Sequence, residues 1–184
     1  LNGTDIQTLD RAAYLKLFSV VFQDFKLFSF GLGENVAANP DYGADRVKRA
    51  LQRADASGRL ERMPLEQPLY RDYAEDGVEI SGGEAQKAAI ARAIYRDAPF
   101  VVLDEPTAAL DPLAEQEVYA RFGDMMRDKT AVFISHRLSS CRFCRDIAVF
   151  DQGSLIQRGS HEALLQEEGG RYAQMWNAQA QYYQ

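Results

Sequence analysis

The chain has 184 residues, 46% of them hydrophobic, and a formal net charge of −6. That length suits one domain with a small subdomain, and the apolar content excludes a disordered chain. The acidic balance argues against a nucleic-acid surface, whose footprint is usually basic; no apolar run approaches the roughly 18–20 residues that span a bilayer.

In chain order, Leu15–Phe22 (LKLFSVVF) is a short apolar run ending at Gln23 and predicts a buried strand. Gly31, Gly33, Asn39 and Pro40 then break the pattern. From Ala44 to about Leu60 the spacing of Val47, Ala50, Leu51 and Ala54 predicts a helix, with Gly58 near its end. Met63 to Val78 is polar, contains Pro64 and Pro68, and reads as loop. A helix starts at Ser81 and stops before Pro99, with Ala89, Ile90, Ala93 and Ile94 as its apolar stripe. Phe100–Leu103 is the next buried strand, and Asp111-Pro112 reads as an N-cap and first helical position. Thr130–Ile134 predicts a third strand, ending at Ser135-His136. Ile147–Phe150 and Ser154–Gln157 flank Asp151-Gln152-Gly153 as a hairpin, and the tail from His161 is helical in composition. Strands separated by helices imply an α/β domain with a largely parallel sheet. The stretch from about Asp24 to Ala98 holds no clear strand and reads as a helical insertion.

The chemistry-bearing residues fall at the ends of these elements. A run of apolar residues delivers Asp104-Glu105 to the carboxyl end of a strand, where α/β sheets place ligands; neighbouring strand residues face opposite sides, so the two acids divide their tasks. Ser81-Gly82-Gly83 opens a helix, whose first N–H groups favour anions. Ser81-x-x-Glu84 also has the form of a capping box, with Glu84 turned back onto the helix start. Cys141 and Cys144 form a single CxxC with no second ligand pair, which leaves two helix residues in a reducing compartment as the plain reading and a metal or redox pair as the sharper one. No lysine follows a glycine, so none of these residues forms the phosphate-cradling pattern GxxxxGK[ST].

Ile80 to Asp111 (ISGGEAQKAAIARAIYRDAPFVVLDEPTAALD) resembles the ATP-binding cassette ATPases, the motor domains of ABC transporters. The resemblance implies a P-loop NTPase (RecA-like) fold, mostly parallel, with a helical insertion. Residues 1–23 and 99–184 would form a partial ATPase core, and residues 24–98 an α-helical subdomain ending in the signature helix. It implies ATP and Mg²⁺ as ligands. Asp104 would hold Mg²⁺ through its water shell, and Glu105 would polarise the attacking water as general base. Gln23, in VVFQD, resembles the glutamine that reaches the metal and that water. His136, in FISHR, resembles the histidine that contacts the γ-phosphate. Ser81, Gly82 and Gly83 resemble the signature, usually written LSGGQ, which closes over the nucleotide of a second nucleotide-binding domain in a head-to-tail dimer. Asp111 resembles the aspartate that signals across that dimer.

The segment Gln23–Ala37 (QDFKLFSFGLGENVA) and Asp76-Gly77-Val78 are similar to exporter-type cassettes, which implies a transmembrane domain as partner and the cytoplasmic face of the cell membrane as location. Against that pattern, residue 1 falls after the first β-rich segment and the Walker A loop and helix. The chain is therefore expected to be a C-terminal fragment, inactive by itself. It is also expected to self-associate through a sheet edge left open beside the strand that ends at His136, to rearrange its sheet, or to depend on a partner that supplies the missing strand, with Phe133 and Val149 alternating inward and exposed by the loss. A soluble, non-transport ABC ATPase and a non-enzymatic interaction module that has lost its nucleotide site are the competing readings.

Overall fold

The computed structural model describes residues 1–56, 58–106 and 128–180. The Asp10 carboxylate accepts the Ala13 N–H at 2.8 Å and starts helix α1 (Arg11–Lys16). The apolar run expected as one strand from Leu15 is therefore divided: Leu15 and Lys16 close the helix, and strand β1 is Phe18–Val21. The junction is pinned by Arg96, whose guanidinium donates to the carbonyls of Phe18 at 2.6 Å and Leu15 at 2.8 Å.

Strands β1, β2 (Phe100–Asp104) and β3 (Thr130–Ile134) form a parallel sheet in that order, with Val21, Leu103 and Phe133 in register. One face of the sheet, carrying Val21, Val101 and Leu103, belongs to the main core. Helices α2 (Leu32–Ala37), α3 (Ala44–Arg53) and α5 (Gly82–Arg96) contribute much of the rest of that core, with Leu60, Leu65 and Leu69 from the segment between α3 and α5. The apolar stripe expected on α5 is widened by Ala85, Ala88 and Ala91, all buried, because small side chains let neighbouring backbones close in on more than one side. The buried Ser19 hydroxyl donates to the Ala93 carbonyl at 3.1 Å, tying β1 to this helix.

The helix expected from Ala44 to Leu60 is broken in two. Its first part ends at Arg53, Asp55 turns with φ 55°, and Gly58, at φ 89°, precedes the short helix α4 (Arg59–Arg62). The turn sets the Asp55 carboxylate 3.2 Å from Lys87 Nζ on α5, an ion pair that an unbroken helix would not place there. Helix α5 stops at Asp97, which takes a left-handed φ of 56° two residues before Pro99. Between residues 24 and 98 the described residues contain no strand, only the isolated bridges Gly31–Pro68 and Leu69–Val78.

The opposite face of the sheet is open. Val20, Val132 and Ile134 are 38%, 50% and 51% exposed, and Phe22, just past β1, is 58% exposed. Phe133 thus alternates inward, as expected, but is half-buried against the main core rather than exposed, while its neighbours face outward.

Leu1–Ile134 forms one unit and Ser135–Gln184 a second. The second contains a 3₁₀ turn (Leu138–Phe143), the antiparallel hairpin of β4 (Ile147–Asp151) and β5 (Ser154–Gly159), and helices α6 (His161–Gln166) and α7 (Arg171–Ala180). Gln152 and Gly153, at φ 46° and 77°, give the hairpin the double positive-φ turn that suits strand twist. Leu138, Ile147, Val149, Leu164 and Tyr172 form its small core, so Val149 is buried here rather than exposed on the parallel sheet. Among the described residues, no helix is long and apolar enough to cross a membrane.

Candidate phosphate-handling site

β2 ends on Asp104, which is half-buried and still paired in register with Ile134 of β3. The next residue, Glu105, donates its N–H to the Ile134 carbonyl at 2.9 Å but takes φ 45°. A left-handed conformation in a residue with a Cβ costs about 1–2 kcal/mol; such strain persists where surroundings over-determine it and clusters at functional sites. The step ends the strand's alternation, so the Glu105 side chain leaves β2 in a direction that simple pleating does not give. Gln23 lies two residues past Val21 as Glu105 lies two past Leu103, and Val21 and Leu103 are in register. The carboxyl ends of adjacent parallel strands therefore bring Gln23, Asp104 and Glu105 to one edge of the sheet.

Ser81 caps the 15-residue helix α5, and Gly82 and Gly83 are its first two residues. A helix of that length spans about 22 Å; its far end, through Arg96, is fixed at the beginning of β1. The Ser81 hydroxyl accepts the Glu84 N–H at 3.2 Å, and the Glu84 carboxylate accepts from the Ser81 N–H at 2.8 Å and from the Ser81 hydroxyl at 3.0 Å. This is the expected capping box. It leaves the Gly82 and Gly83 amides as helix-start donors with no acceptor inside the helix.

Between the two regions runs the segment after Gln23, and two residues that sequence reasoning passed over organise it. The buried Asn35 amide donates to the carbonyls of Phe28 at 2.8 Å, Phe30 at 3.2 Å and Gly31 at 3.1 Å, while its oxygen accepts the Phe28 N–H at 2.8 Å. Arg92, on α5, donates to the carbonyls of Asn35 at 2.7 Å and Lys26 at 3.1 Å. Burial pulls its guanidinium below the ordinary value, yet an arginine stays charged. An arginine interrupting an alanine-rich helix face was the available signal. Beside them lies a cavity of about 360 Å³, lined by Phe28, Phe30, Asn35, Ala38, Pro40 and Arg92. Phe28 and Phe30 are 56% and 55% exposed at its mouth.

His136 is exposed in the second unit, two residues past the end of β3, with its carbonyl held by Gln179 at 2.6 Å. Asp111 lies outside the described residues. Both cysteines are free thiols, half-buried against the small core, and burial raises the pKa of each.

The donor chemistry suits Mg²⁺. This ion binds hard oxygen ligands and is usually held by one or two carboxylates together with substrate phosphates. A half-buried carboxylate and an exposed amide oxygen at one edge of the sheet supply such a set. Among the described residues no group of three or more His, Cys, Asp or Glu could hold a metal ion.

A parallel sheet whose middle strand ends on Asp104-Glu105, a helical segment between β1 and β2, and a capped glycine pair match a P-loop NTPase-type α/β fold. The family model described as ABC transporter matches residues 1–108. The chain is 36% identical over 181 residues to the ATP-dependent lipid A-core flippase of Vibrio cholerae, covering 97% of this chain and 31% of that protein. It is 37% identical over 179 residues to the mycobactin import ATP-binding/permease protein IrtA of Mycolicibacterium thermoresistibile, covering 97% and 19%. A bacterial Atm1-family ABC exporter solved with ATP bound superposes with a TM-score of 0.86 at 32% identity, covering 97% of this chain and 31% of that one. The chain belongs to the ABC transporter family, and it spans about a third or less of the length of these relatives.

Proposed function

We propose that this chain is the ATP-hydrolysing part of an ABC exporter, at the cytoplasmic face of a cell membrane. The observation that carries the reading is the Asp104-Glu105 step: a register-locked strand end followed by a strained glutamate, with Gln23 two residues past the end of the neighbouring strand β1.

Asp104 and Gln23 would hold Mg²⁺, which when bound neutralises charge on the phosphoryl oxygens. Glu105 would accept a hydrogen bond from water and draw off its proton as the water oxygen attacks the γ-phosphorus and the bond from that phosphorus to the ADP oxygen breaks, ADP leaving. His136 contacts the terminal phosphate. Ser81, Gly82 and Gly83 act on the nucleotide of a second copy of the domain, and Asp111 signals across that pairing. Residues 1–23 and 99–184 serve as ATPase core, and residues 24–98 as the helical subdomain.

The cavity at Phe28 and Phe30 adjoins the segment that starts at Gln23, which suits it to the transmembrane domain: Asn35 and Arg92 tie its walls to the backbone at Phe28 and at Lys26, three residues past Gln23. The names of the relatives describe transport proteins, which favours this reading over a soluble ATPase or an interaction module.

Two measurements test it. The purified 184-residue chain should show no turnover of Mg·ATP, and millimolar ATP should leave its melting temperature unchanged, because its sequence carries no GxxxxGK[ST] pattern. The complete transporter carrying the chain should hydrolyse ATP. Micromolar ATP affinity of the chain alone would refute the need for that cradle; a complete transporter without ATPase activity would sink the enzymatic reading.

A further inference from the structure

We propose that Gln179 is a positioning residue that fixes the backbone of His136 from the C-terminal helix α7. The proposal rests on the reading of His136 as the phosphate-contacting histidine. Both sides of the Gln179 carboxamide are engaged: Nε2 donates to the His136 carbonyl at 2.6 Å, and Oε1 accepts the Leu138 N–H at 2.9 Å. One planar amide thus grips two peptide groups on either side of Arg137, as a neighbouring strand would. The His136 carbonyl carbon and imidazole hang from the same Cα, so fixing the carbonyl leaves the ring only rotation about its own side-chain bonds.

A clamp positions only if it is itself held, and α7 is held at its start. Gln157 of β5 is buried, and its Oε1 accepts the Tyr172 N–H at 2.9 Å while its Nε2 donates to Glu167 at 2.6 Å. A Cβ on Gly170 would come within 2.6 Å of that Nε2, so the chain enters α7 at a glycine. Tyr172 is 1% exposed, its hydroxyl 2.8 Å from His161 Nδ1. The gripped segment has local ties as well: the Ser135 hydroxyl accepts the Arg137 N–H at 3.0 Å, and the Ser140 hydroxyl donates to the Arg137 carbonyl at 2.6 Å. Leu138 is 4% exposed in the small core. What remains for Gln179 to set is the direction of the His136 peptide, and the position of α7 becomes the position of His136.

Two variants separate positioning from simple stabilisation. Gln179→Leu removes both hydrogen bonds. Gln179→Glu keeps an acceptor for Leu138 and loses the donor to His136. In the complete transporter both should lower kcat about tenfold, within the ~10²-fold that a misplacement of about 1 Å can cost, with KM for ATP changed less than twofold. In the 184-residue chain, hydrogen exchange at the Leu138 amide should accelerate at least tenfold in Gln179→Leu and stay near wild type in Gln179→Glu. Unchanged Leu138 exchange in Gln179→Leu overturns the clamp whatever the turnover. Wild-type kcat in both variants, alongside a His136→Ala that has lost turnover, overturns positioning while leaving the role of His136 intact. A His136→Ala with normal turnover removes the reading on which the proposal stands and overturns both.

Discussion

Glu105, just past the carboxyl end of β2, and Glu84, in the first turn of α5, are the same side chain in two motifs proposed to serve phosphate chemistry. Their surroundings treat them differently. Glu84 accepts two hydrogen bonds from the residue that caps its own helix, at 2.8 and 3.0 Å, and completes a local box. Glu105 sits on a backbone held at φ 45° while its N–H stays in the sheet. Glu84 helps to build its helix, whereas holding Glu105 in place costs the sheet some stability. A carboxylate in a phosphate motif is thus assigned by what its backbone does, since charge and residue type are equal.

The sharpest way to break that contrast is at Glu105. In the complete transporter, Glu105→Gln keeps size and polarity but loses the base, so kcat should fall ~10²–10⁴-fold, about 3–5 kcal/mol of barrier. ATP binding, followed by equilibrium titration, should be preserved. An almost unchanged kcat with chemistry rate-limiting would move Glu105 out of the proposed mechanism.

Most of the fold could be read before the structure because its signals are local. β3 runs from Thr130 to Ile134 as expected, and Ser81 caps α5 as the capping-box pattern requires. What escaped depends on contacts far along the chain. Leu15 and Lys16 look like strand residues until Asp10 starts a helix and Arg96, 81 positions on from Leu15, fastens its carbonyl. The break after Arg53 answers to Lys87 across the core, and no periodicity within α3 announces it. At the site, Asp104 and Glu105 were legible as acids ending an apolar run; the left-handed turn at Glu105 was not, because nothing in its residue type asks for one. Asn35 was hidden for a different reason. Its four hydrogen bonds all go to backbone, whose location a sequence does not disclose.

A smaller effect sharpens the spatial side of the comparison. Glu105 belongs to the same edge as Gln23, while Ser81 is proposed to act on a second subunit. Ser81→Arg in the complete transporter should lower turnover and spare binding of the first nucleotide. In mixed dimers with one altered subunit, cross-linking of a nucleotide analogue should place the hydrolytic defect at the site of the unaltered subunit. A defect confined to the altered subunit's own site would collapse the head-to-tail reading.

The smallest effect is expected at Glu84 itself, and it tests whether a glutamate near a phosphate can be insulated by its cap. Glu84→Ala removes the acceptor for the Ser81 N–H and hydroxyl. Loss of a capping interaction costs about 1 kcal/mol, which for a chain of this size lowers Tm by roughly 2–4 °C. Glu84→Gln retains an oxygen acceptor at the same reach, so its melting curve should match wild type within about 1 °C. Charge is the only property that changes greatly in the second variant. Two like charges about 4 Å apart repel by roughly 4 kcal/mol at an effective dielectric of 20. If the carboxylate faced the partner's phosphate, removing it would change KM or kcat by far more than tenfold. With Glu84 bonded back to Ser81, both should stay within about threefold of wild type. A large kinetic gain in Glu84→Gln at unchanged Tm would show that the capping box opens when nucleotide arrives, and that this glutamate restrains turnover as well as building its helix.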